Sequence, residues 1–144
     1  MSSTIDTNVL LYASDEASPL NEAAVRFLTD RAAGPDLLYV FWPTIMGYLR
    51  ISTHPAVFEH PLSPSDARRN IEALISLPHV LTPGEADGFW EVWTKVTDGV
   101  TARGNLVPDA HLVALMRQHG ISTIWTRDRD LRRFSGIRVA DPFA

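Results

Sequence analysis

Thr4-Ile5-Asp6-Thr7-Asn8-Val9-Leu10-Leu11 changes character at its third residue. β-branched residues lead into a carboxylate, and an apolar run of helical character follows, which is how a strand hands over to a helix in an α/β sheet. Thr4 to Ile5 is the first of five short β-rich runs. The others are Leu37 to Phe41, His79 to Leu81, Thr123 to Trp125 and Arg138 to Ala140, each bounded by Pro, Gly or Asp. Longer stretches with helical spacing separate them, the pattern of strands joined by crossover helices.

The helices are delimited by their caps and apolar faces. Leu20, Ala24, Phe27 and Leu28 share a face, with Ser18 or Asn21 as cap and Gly34-Pro35 as stop. Ser63-Pro64 opens a helix that buries Ala67, Ile71, Leu74 and Ile75 and ends at Pro78, proline being tolerated where its missing N–H has no helical partner. Phe89, Trp93, Val96 and Val100 predict a helix from Glu85 to about Ala102, with a core stripe and Trp90 at its edge. Leu112, Val113, Leu115 and Met116 are apolar nearly all round, so the helix from Pro108 to His119 is expected to be central. The expectation is a single α/β domain, residues 1–144, around a mostly parallel sheet of about five strands.

A chain of 144 residues with 45% hydrophobic content suits one core. Cysteine is absent, which excludes thiolate nucleophiles, disulfides and cysteine-held zinc, and leaves oxygen or imidazole to bind any metal. The start has no basic run before an apolar stretch, and the apolar segment Leu37 to Trp42 is stopped by Pro43, far short of a membrane span. A cytoplasmic protein without membrane contact is expected. The net charge of -4 argues against coating duplex DNA by bulk positive charge. Arg127, Arg129, Arg132, Arg133 and Arg138 nevertheless crowd the C-terminal end, as either a local phosphate-binding footprint or a solvated basic surface.

In a parallel sheet, ligands bind beyond the carboxyl ends of the strands, where helix N-termini converge. Asp6 closes the first strand, Asp109 follows Pro108 in the first turn of the central helix, and Asp128 follows Trp125-Thr126 before a short helical turn. Any one of them is explained as a helix cap, worth roughly 0.5 to 2 kcal/mol. Three carboxylates converging at one edge repel each other unless a cation sits among them. A hard divalent ion takes oxygen ligands and supplies water for attack on phosphorus, the chemistry of phosphodiester hydrolysis.

Four segments taken in order carry a resemblance: Asp6-Thr7-Asn8-Val9-Leu10, Leu49-Arg50-Ile51, Asp109-Ala110-His111-Leu112, and Thr126-Arg127-Asp128-Arg129-Asp130-Leu131, with Asp141-Pro142 at the close. In order and spacing they resemble PIN-domain proteins of the VapC toxin type over nearly the whole chain. The resemblance implies a three-layer α/β/α fold and a Mg²⁺- or Mn²⁺-dependent endoribonuclease that cuts structured RNA and halts translation. It also implies a homodimer and a VapB-like antitoxin that forms a complex with the toxin and blocks its site. Carried over by position, Asp6, Asp109 and Asp128 are the catalytic, metal-holding acids, Asp130 is a further ligand or support, and Thr126 and Asn8 support the site. Arg50, Arg127, Arg129 and Arg132 are expected to meet the RNA backbone. One departure stands out: the family's usual glutamate three residues before Arg50 is here Gly47, which favours one metal ion over a symmetrical pair, with Asp130 or Asp98 as compensating acids.

The rival reading is a degenerate PIN-like module that binds RNA or antitoxin without cleaving. A receiver domain or aspartyl-phosphate phosphatase is disfavoured because Asp6-Thr7-Asn8 lacks a second Asp and Lys95 lies mid-helix. The five histidines show no paired ligand spacing, and neither a Gly-rich phosphate loop nor a Gly-x-Ser-x-Gly elbow occurs. His111 is expected to face away from Asp109, and His119 to serve the end of its helix.

Overall fold

The computed structural model describes all 144 residues. In chain order its elements are β1 (Ser3–Ile5), α1 (Thr7–Ser14), α2 (Asn21–Ala32), β2 (Leu38–Tyr39), α3 (Trp42–Ser52), α4 (Pro64–Ile75), β3 (Val80–Leu81), α5 (Phe89–Val96), α6 (Leu106–Gln118), β4 (Thr123–Trp125), a 3₁₀ turn (Arg129–Arg133) and β5 (Arg138–Ala140). The sheet runs β3-β2-β1-β4-β5, and every pairing in it is parallel. Parallel neighbours need crossover helices, and these cover both faces.

The alternation along each strand decides which helices lie where. Leu38 and Val40 point with Ile5 and Val80 into a core shared with α1, α2, α3 and α4, where Val9, Phe27, Ile45, Tyr48 and Ile71 meet them. Tyr39, Phe41 and Ile124 point the other way, against Val96, Val113, Leu115 and Met116 of α5 and α6. The result is the expected three layers, and α6 is the central helix, buried at every position from Leu112 to Met116.

Three boundaries differ from expectation. β2 and β3 are shorter than the β-rich runs, β2 because Phe41 already caps α3, although backbone pairing reaches past the strands: Val40 N–H donates to Leu81 O at 2.9 Å. The helix expected from Glu85 to Ala102 spans only Phe89–Val96. Gly88, at φ +80°, is left-handed, and Gly99 at φ +78° turns the chain at the other end. Residues before Gly88 are fastened to α6 instead: the Gln118 side chain accepts from Ala86 N–H at 2.9 Å and donates to the Ala86 and Asp87 carbonyls at 3.1 and 3.2 Å. Finally, α6 begins at Leu106, with Pro108 inside its first turn, where a missing N–H leaves no helical bond unmade.

Candidate active site

Strand order runs outward from the middle, β2 and β3 to one side and β4 and β5 to the other, so the direction of winding switches between β1 and β4. Beyond the carboxyl ends of such a pair the loops diverge and leave a crevice. Asp6 follows β1 directly and Asp128 lies just past β4. Asp109 stands in the first turn of α6, the helix that returns the chain to β4, so its N-terminus opens on the same edge. The ladder holds this edge in register, with Asp6 N–H donating to Trp125 O at 3.1 Å and Thr126 N–H to Ala140 O at 2.9 Å.

A chain of hydrogen bonds ties the 3₁₀ turn back to β1. Asp130 N–H donates to Asp128 Oδ1 at 2.9 Å, Asp128 N–H donates to Thr126 Oγ1 at 2.9 Å, and the Thr126 hydroxyl donates to Asp6 Oδ2 at 2.8 Å. Thr126 is buried, and its hydroxyl is engaged both as donor and as acceptor. The capping explanation therefore holds for one oxygen of Asp128. At Asp6, the N-cap of α1, capping is weak: the Asn8 and Thr7 backbone N–H groups draw on its carboxyl without closing a well-formed cap bond; Asp109 makes no side-chain hydrogen bond.

Electrostatics separates these acids from ordinary surface carboxylates. Burial, and then the charges of Asp128, Asp6 and Asp130, push the Asp109 carboxyl up to about 6. Burial also raises that of Asp6, against the pull of the Thr126 hydroxyl and of the backbone N–H groups of Asn8 and Thr7, and Asp128 adds to the rise. No ion pair relieves this repulsion: Arg127 is turned to Asp141 and Arg133 to Asp130, each at 3.7 Å, and Asp6, Asp109 and Asp128 form none. An all-oxygen donor set in which Asp6 and Asp109 are disfavoured as anions by burial and by neighbouring acids fits a hard divalent ion. The acids as they stand are not closed into a ready-made ligand cluster, so taking up an ion requires the side chains to draw inward.

The other expected residues divide. Asp130 belongs to the group, since Asp109 feels its charge, whereas Asp98 lies exposed in the turn after α5 and contributes nothing to either raised acid. Asn8 is exposed and acts on Asp6 through its backbone. Arg127, Arg129 and Arg132 line a hollow of about 130 Å³ together with Asp128. Arg50 is apart from them, exposed in the last turn of α3. Position 47 packs against the start of α1: a Cβ on Gly47 would lie 3.1 Å from Oγ1 of Thr7, the residue after Asp6. Close approach of α3 to α1 therefore accounts for this glycine. His111 pairs with Glu85 at 2.6 Å, and His119 bonds to Gly84 O at 2.8 Å, both away from the acids.

Two features escaped the sequence reading. Asp141, taken only as a motif end, braces Arg127 and lines the arginine hollow; its pairing across β4 and β5 has no local signal. The largest hollow, about 430 Å³ between α1, α2, α3 and α4, is mostly apolar and contains none of the aspartates.

Comparison with known proteins agrees with the fold. The PIN-domain family model matches residues 4–137. Ribonuclease VapC48 of Mycobacterium tuberculosis is 54% identical over 144 residues, covering 100% of this chain and 99% of the relative, and Ribonuclease VapC25 of the same organism is 33% identical, covering 96% of each. Among solved structures, M. tuberculosis VapC20, described as a sarcin-ricin loop cleaving toxin, superposes with a TM-score of 0.64 at 17% identity, covering 94% of this chain and 98% of that one. DNA-bound VapBC from Salmonella typhimurium gives 0.66 at 16% identity, covering 99% and 98%. The chain belongs to the PIN-domain family, in its VapC group.

Proposed function

We propose that this chain is the endoribonuclease toxin of a toxin–antitoxin pair, cutting structured RNA with the help of Mg²⁺ or Mn²⁺ and so stopping translation. The observation that carries the reading is the set of three carboxylates brought to the β1–β4 switch point with no ion pair among them, Asp6 and Asp109 being raised chiefly by burial and further by the neighbouring acids. Asp6, Asp109 and Asp128 are the residues that would hold the ion, with Asp130 beside them. When bound, such an ion neutralises charge on a phosphate and increases the acidity of water. The protein's part is positional. Thr126 fixes one Asp6 oxygen, Asp128 spends one oxygen on the 3₁₀ turn and keeps the other for the site, and half-buried Asp109 faces them from α6. Arg127, Arg129 and Arg132 guide the RNA backbone alongside, with Arg50 as an outlying contact.

The relatives support the ribonuclease activity by name, and the complexes among the structural neighbours support an antitoxin partner of the VapB kind. We place the protein in the cytoplasm, where its RNA is, as one domain that pairs with a second copy and is silenced by the antitoxin. No helix is long and apolar enough to cross a membrane.

The rival reading, a module that binds without cutting, draws on Gly47, which removes one acid the family supplies. Antitoxin-free protein incubated with a panel of structured RNAs, in Mg²⁺ or Mn²⁺ and in EDTA, separates the two. Discrete cuts that need metal and disappear in both Asp6→Asn and Asp128→Asn are expected. Folded wild-type protein that cuts nothing in either metal would favour the binding module.

A further inference from the structure

The 3₁₀ turn Arg129–Arg133 sorts its side chains by threes. With three residues per turn, positions i and i+3 eclipse, so the segment and its cap carry three straight rows. Leu131 and Phe134 form one row and are buried, 1% and 3% exposed, in the core under α6. Asp130 and Arg133 form the second and pair with each other at 3.7 Å. Arg129 and Arg132 form the third. Neither has an acidic partner, both are exposed, and both line the hollow of about 130 Å³ that also contains Asp128. Arg127 enters the same hollow from the end of β4, steadied by Asp141 at 3.7 Å.

The size and lining of this hollow identify what it takes. A water molecule occupies about 30 Å³ of the liquid, so about 130 Å³ accommodates a tetrahedral oxyanion with some of its hydration. Guanidinium groups present flat forks of N–H donors that match the oxygens of a phosphate and keep their charge at any working pH. Asp128 is common to the hollow and to the carboxylate group, so an anion held here lies immediately beside the reacting position without occupying it.

We propose that the hollow is a subsite for one phosphate of the RNA backbone, next along the strand from the phosphate that is cut, and that Arg129 and Arg132 are its principal donors. They act as positioning residues, fixing the strand so that the scissile phosphate arrives over Asp6, Asp109 and Asp128. The inference rests on the reading of that edge as the place of cutting. It separates Arg129 and Arg132, which grip the strand, from Arg133, which is spent on Asp130.

The test is binding of a short single-stranded RNA to the full chain in EDTA, followed across a salt series, for wild type, Arg129→Ala/Arg132→Ala, Arg129→Lys/Arg132→Lys and Arg133→Ala. The double alanine variant is expected to raise Kd roughly tenfold at low salt and to lower the slope of log Kd against log salt by about 0.7, the value of one single-strand phosphate contact. The double lysine variant should keep that slope, Arg133→Ala should match wild type, and inorganic phosphate should compete with RNA for wild type but less well for the double alanine variant. Wild-type affinity and slope in the double alanine variant would overturn the proposal, as would loss of poly-glutamate binding with RNA binding unchanged, which would make the hollow a seat for an acidic peptide. Because binding is read without metal, failure to cut any RNA would remove the nuclease reading and leave this result standing on its own.

Discussion

At the scale of single residues, the site is defined by what its carboxylates lack. Asp109 makes neither a side-chain hydrogen bond nor an ion pair and is held half-buried among acids that raise its carboxyl to about 6. Its folded-state value lies above the ordinary one of 3.8, so between those values the native state binds more protons than the unfolded state and stability falls as pH rises. Metal-free Asp109→Asn protein should therefore melt above wild type at pH 7.5, with the advantage gone by about pH 4, as thermal denaturation in EDTA across that range will show. Thr126 works in the opposite sense. Replacing it with Val removes the donor to Asp6 and strands the Asp128 N–H, and should cost about 1–3 kcal/mol in denaturant titrations while weakening cleavage. Asp6, Asp109, Asp128 and Thr126 were all legible in the sequence because each stands at a junction of strand and helix. Asp141 was not, because its role depends on a contact with Arg127 across two neighbouring strands.

Among the elements, the 3₁₀ turn joins core to site. Its buried row anchors it, and Leu131→Ala should cost about 2–5 kcal/mol by calorimetry, through lost burial and the cavity left behind. α5 shows where periodicity misleads. Phe89, Trp93, Val96 and Val100 do pack on one side, as their spacing predicts, but the helix ends short of that pattern because backbone conformation at Gly88 and Gly99 decides its limits. A Cβ at Gly88 would meet nothing closer than 3.9 Å, so the cost of Gly88→Ala is conformational: about 1–2 kcal/mol for a side chain in the left-handed region, measurable by urea unfolding. Gly47 stood out in the sequence as a missing glutamate; the 3.1 Å that would separate a Cβ there from Thr7 Oγ1 supplies a reason in helix packing.

For the whole molecule, the order β3-β2-β1-β4-β5 does what no single motif does. It brings Asp6 and Asp128, more than a hundred residues apart, to the two sides of one crevice and aims α6 at it. The parallel sheet and its three layers follow from alternating runs and caps, whereas the adjacency of β1 and β4 is a matter of winding that the runs themselves do not encode. The carboxylates at that crevice are expected to act as one cation site. The measurement that tests this most directly is Mn²⁺ binding by isothermal titration, paired with thermal denaturation, on wild type, Asp6→Asn and Asp109→Asn. A single ion per wild-type chain is predicted, adding about 2.7 kcal/mol of stability at a hundred times Kd, with both effects lost or strongly weakened in each variant. Equal binding and equal stabilisation in wild type and both variants, or no binding by any of the three, would contradict a metal site built on these aspartates.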